Sequence, residues 1–96
     1  MGIEYRLRVE TSNKQALDGL LRQAPFFKNF DAQHGLYNFR HPSNADLTQM
    51  PDLDATIGSD GLSICDNGNK QLSEEVLLFL KVFLERMFGQ VNIEEL

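Results

Sequence analysis

The sequence predicts an α+β fold: a two-layer sandwich in which an antiparallel-rich sheet carries two helices on one face. Three observations predict it. Ile3, Tyr5, Leu7 and Val9 alternate with Glu4, Arg6, Arg8 and Glu10, a period of two that marks a strand with one buried side. Leu17, Leu20, Leu21 and Ala24 recur at helical spacing, as do the apolar residues between Val76 and Phe88. Between these two helical stretches, turn residues divide short β-rich runs.

The elements follow in order. Residues 3–10 form the first strand. Thr11 or Ser12 offers an N-cap to a helix over 13–24, whose charged side carries Lys14, Asp18 and Arg22, and Pro25 stops it. Phe26, Phe27 and Phe30 come next, then a turn over 31–35 and a strand over 36–40 with Tyr37 and Phe39 on one side. Residues 41–52, rich in Pro, Ser, Asn and Asp, read as a long loop that Leu47 and Met50 pin to the body. Loops of this length in a small fold are usually functional or disordered.

Strands over 54–59 and 62–66 bracket Asp60-Gly61, a hairpin turn signal. On the second of them Leu62 and Ile64 share one face, Ser63 and Cys65 the other. Asp66 to Asn69 is turn chemistry again. Ser73, followed by Glu74, Glu75 and Val76, reads as a capping box opening the longest helix, which runs to Phe88 with Gly89 as its C′ residue. Val91 and Ile93 form a short last strand. The order is β-α-β-β-β-β-α-(β) in one domain spanning 1–96, and a ferredoxin-like variant is the nearest named architecture.

Composition narrows the function. The 96 residues carry a net charge of −5 and a pI near 4.8, with nine scattered basic residues. Nucleic-acid binding rests on Lys and Arg neutralising phosphates, so nucleic acid is a poor partner. An acidic surface favours solubility or a basic protein partner. One cysteine, Cys65, suits a reducing compartment. The N-terminus is charged from Glu4 and Arg6 onward, unlike a signal peptide. The longest apolar run, Val76 to Leu80, falls far short of the ~20 residues that span a bilayer. The expectation is a cytoplasmic protein that makes no membrane contact.

Chemistry is sparse. His34 and His41 flank a strand and Cys65 is remote, so no set of metal ligands converges. Asp52-Leu53-Asp54 lacks the spacing of a calcium loop, and Gly58-Ser59-Asp60-Gly61 lacks that of a phosphate cradle. No base is placed beside a nucleophile, although a compact sheet could bring Cys65 to His34 or His41. No catalytic residue, cofactor or metal site is assigned, and the reading leans away from an enzyme. The group His34, Tyr37, Phe39 and His41 is read as core packing, or alternatively as a small apolar pocket roofed by the 41–52 loop, with polar anchors from Asn38, Arg40 or His41.

One feature asks for explanation. On the longest helix Val76, Leu77, Phe79, Leu80, Phe83, Leu84, Met87 and Phe88 make one broad apolar face, wide enough to cover a small sheet. Leu78 and Val82 lie on the far side, adjacent at i,i+4 and ringed by Glu75, Lys81, Glu85 and Arg86. Either the first helix or the 41–52 loop buries this pair, or the pair is the centre of a homodimer or partner interface, or its exposure is incidental. The leading expectation is a small protein-interaction domain, self-associating or inhibitor- or immunity-like in role. The rivals are a small-molecule binder or minor enzyme using the aromatic and histidine region, and a purely oligomeric scaffold.

Overall fold

The computed structural model describes residues 2–9, 13–46 and 48–96. Among them the elements run β1 (Ile3–Arg8), α1 (Lys14–Gln23), β2 (Phe27–Asp31), β3 (Leu36–Phe39), β4 (Leu53–Ile57), β5 (Gly61–Asp66), α2 (Lys70–Phe88) and β6 (Asn92–Glu95), with a 3-10 turn at Pro42–Asn44. The strands form one six-stranded sheet in the order β2-β3-β4-β5-β1-β6. Consecutive strands β2 to β5 meander, while α1 carries the chain from β1 to one edge and α2 carries it to β6 at the other. Every pairing is antiparallel, so β1 joins β5 and β6 without the parallel neighbour that a ferredoxin-like sheet would give it. The layering is shared with that architecture; the strand pairing is this chain's own.

Alternation decides which side chains face the helices. The register aligns Tyr5, Ile64, Ala55, Tyr37 and Phe30 in one row across five strands, and Leu7, Leu62 and Ile57 in the next. These rows meet Leu17 and Leu21 of α1 and Leu72, Val76, Leu80 and Leu84 of α2 in one buried core. The opposite face of the sheet carries Glu4, Arg6, Arg8, Asp54, Thr56, Ser63 and Cys65. The period of two in β1 therefore has the meaning read from sequence, with Leu7 and Val9 buried.

Both helix starts differ from the sequence expectation. Asn13 caps α1, its Oδ1 accepting from the Ala16 amide at 3.1 Å. Thr11 and Ser12, the expected caps, lie outside the described residues, as does Glu10. For α2 the cap is Asn69, whose Oδ1 accepts from the Leu72 amide at 3.1 Å. Asp66 fixes the approach, its Oδ1 accepting from the amides of Gly68 at 2.8 Å and Asn69 at 3.1 Å. Ser73 thus sits inside the helix, buried, and its hydroxyl has no partner. Its capping-box pattern is overridden because an earlier asparagine, already held in a turn by Asp66, satisfies the first free amides.

The β4–β5 hairpin turns one residue earlier than its Asp60-Gly61 signal implies. The Gly58 amide donates to the Gly61 carbonyl at 2.8 Å, leaving Ser59-Asp60 as the two-residue loop. Gly61 answers a different need. It lies at φ +140°, and a Cβ there would stand 2.0 Å from the Leu7 carbonyl oxygen of the neighbouring strand.

The loop after β3 is held by polar contacts. Arg40 is only 8% exposed. Its guanidinium donates to the carbonyls of Asp46, at 3.0 Å, and Gln49. The His41 amide donates to Asp52 at 2.7 Å, and the Asn44 side-chain amide donates to the Met50 carbonyl at 3.1 Å. Met50, one of the two expected anchors, is instead 69% exposed. Leu47, the other, is outside the described residues. A buried cation surrounded by loop carbonyls organises this segment, so the hydrophobic pins are not needed.

Candidate functional site

The feature that stands out is the side of α2 turned away from the sheet. Its 19 residues give a length of about 28 Å, whereas the 10 residues of α1 reach only about 15 Å. The shorter helix cannot flank the whole of the longer one. Leu78 is 64% exposed and Val82 38%, so neither α1 nor the 41–52 segment buries them. Phe83 at 38% and Met87 at 48% are also open, although their wheel positions assigned them to the sheet-covering face. The wheel gave the direction of each side chain but not the length of its neighbours, which is why these two were misplaced.

The exposed residues form a connected surface. Leu78 and Val82 are one turn apart, as are Phe79, Phe83 and Met87. The Phe79 and Phe83 rings lie 4.5 Å apart between centroids, and the Arg86 guanidinium lies 5.5 Å from the Phe83 ring. Along this side Glu75, Phe79, Val82 and Arg86 recur at spacings of four, three and four residues, the spacing of a helix seam made for another helix. Glu75 and Arg86, both exposed, close its two ends with opposite charges.

The aromatic and histidine group is not gathered into one pocket. Phe39 is fully buried in the core and Tyr37 nearly so. His34, in the β2–β3 turn, is exposed, with its Nδ1 2.8 Å from Asp31. His41 lies beyond the other end of β3, its ring stacked on Phe26 at 5.9 Å and its Nδ1 accepting from the Ser43 amide at 3.1 Å. Hollows of about 240 Å³ and about 400 Å³ open beside Phe26 and His41; Leu72 and Glu75 border the first, Lys28 and Arg40 the second. Phe26 has φ +67°, a left-handed conformation unusual for a bulky residue.

Tyr37 does structural work instead. Its hydroxyl donates to Asp18 of α1, and Arg22 donates to both oxygens of the same carboxylate at 3.1 Å. The Arg22 guanidinium also lies 5.2 Å from the Phe30 ring centroid and 5.8 Å from that of Tyr37. Burial, then the neighbouring carboxylate, pushes the Tyr37 phenol up to about 12. The Tyr37 hydrogen bond holds the Asp18 carboxyl below its usual range.

On the open sheet face Cys65 donates to the Asn67 side-chain oxygen at 3.2 Å, and neither histidine is its partner. Burial, reinforced by Asp54, Glu4 and Asp66, raises its thiol pKa, the opposite of what a nucleophile needs. Among the described residues no three His, Cys, Asp or Glu side chains group as metal ligands would, and no helix is long and apolar enough to cross a membrane.

Fold and surface together define a two-layer α+β protein with an uncovered apolar seam on its longer helix. The chain matches no protein-family model, no curated protein and no solved structure.

Proposed function

We propose that this chain is a protein-interaction domain, of the cytosol, that docks through the outward side of α2. The observation that carries this reading is the open apolar group Leu78, Val82 and Phe83 on one helix, with half-buried Phe79 among them. Scattered surface leucines need no explanation, but a contiguous apolar surface rimmed by charge is characteristic of binding faces. Helix-in-groove and helix-on-helix recognition both use anchors at this spacing. A photoreactive amino acid placed at Leu78 tests it in the native cell. A discrete cross-linked adduct at Leu78, absent when the same probe replaces Ser63 on the open sheet face, is the expected result. No adduct above that control would remove the reading.

A second reading rests on Phe26. Strained backbone concentrates at ligand clamps, and this residue borders both hollows beside His41. Lys28 beside the aromatic wall of Phe26 and His41 would suit a small aromatic carboxylate. A thermal-shift series with benzoate-like acids, repeated on His41→Ala, separates this reading from the first; no stabilisation by any of them would eliminate it.

A further inference from the structure

We infer that the partner of the α2 seam is a second copy of this chain, with the two α2 helices packed antiparallel about the midpoint between Leu80 and Lys81. This rests on the docking role proposed for α2. The argument is one of self-complementarity. A two-fold contact brings each residue of one helix against the residue equally far from the midpoint on the other. About this midpoint Phe79 meets Val82 and Glu75 meets Arg86, each pair formed twice, while Leu78 and Phe83 flank the seam on opposite sides. The two apolar positions of the seam then face each other, and its two charged positions face opposite charges.

The alternatives are poorer. Parallel packing in register would set Glu75 against Glu75 and Arg86 against Arg86. Moving the midpoint to Leu77 would set Glu75 against Phe79, and moving it to Leu84 would set Val82 against Arg86. Like charges in contact oppose association, so charge selects the antiparallel register that the apolar residues permit. Glu74 and Lys81 lie outside the seam, and Glu85, one heptad beyond Leu78, flanks it.

The test is charge reversal followed by restoration, read as the dissociation constant from sedimentation equilibrium across a range of concentrations. Glu75→Arg alone and Arg86→Glu alone should each weaken the dimer at least about tenfold, since each change enters the two-fold contact twice. The combined Glu75→Arg, Arg86→Glu chain should return to within about threefold of wild type, because the ion pairs are re-formed with their signs exchanged. Circular dichroism on each variant keeps loss of fold apart from loss of contact. Folded single variants that dimerise as well as wild type, or a combined variant that stays monomeric, would overturn this register while leaving α2 as a docking face. A wild-type chain that is monomeric throughout would overturn the second copy as partner, and the photo-cross-link at Leu78 would then decide the docking role separately.

Discussion

Asp18 of α1 accepts the phenolic hydrogen of Tyr37 on β3, and this one bond ties the shorter helix to the sheet. Arg22 completes the arrangement by holding the same carboxylate and lying over the neighbouring rings. Tyr37→Phe keeps the packed ring and removes the bond, so it should cost about 1 kcal/mol in urea unfolding.

The same pair sets a pH dependence. The Tyr37 phenol is raised from an ordinary 10.0 to about 12, so the folded state favours its neutral form. Its contribution is complete below pH 10 and is lost as pH rises towards 12. Asp18 behaves oppositely: its pKa is lowered, so its contribution is present above the ordinary 3.8 and is lost as pH falls through the folded value. Denaturant midpoints measured across pH should decline at both ends, and Tyr37→Phe should flatten the alkaline decline. Tyr5 is raised as well, by burial first and then by Glu95, and its share will remain in that variant.

Arg40 makes a second prediction. Removing it leaves the carbonyls of Asp46 and Gln49 without their donor, so Arg40→Ala should cost about 2 kcal/mol. It should also make residues 41–52 the first site of proteolytic cleavage. An unchanged digestion pattern would show that the loop is held by other means.

The helix starts give a paired test. Asn69→Ala removes the cap of α2 and should destabilise by about 1 kcal/mol. Ser73→Ala removes a buried hydroxyl that has no partner and adds helix propensity, so it should be neutral or stabilising by about 0.5 kcal/mol. Were Ser73 the true cap, the two outcomes would be exchanged.

These contrasts show what was legible in the sequence. The alternation in β1, the stop at Pro25 and the apolar run of α2 survive because burial of one face imposes its period on the residues directly. Caps were less legible, since Asn13, Asn69 and Ser73 offer similar local chemistry and only the turn held by Asp66 selects among them. Of the candidate interface, Leu78 and Val82 were readable from a helical wheel. Phe83 was not, because a wheel gives the direction of a side chain but not how far the layers beside it extend. The aromatic and histidine group divides: alternation sends Tyr37 and Phe39 into the core, as the core-packing reading had it, while β3 separates His34 from His41 along its own length.

The outward side of α2 is the centre of this account, and sedimentation velocity on the wild-type chain beside Leu78→Glu/Val82→Glu tests it most directly. The account predicts a wild-type particle of twice 10.9 kDa and a variant that sediments as one chain with an unchanged circular dichroism spectrum. Two identical single-chain profiles would contradict self-association through α2. An unfolded variant would contradict it more deeply, by showing that Leu78 and Val82 belong to the core.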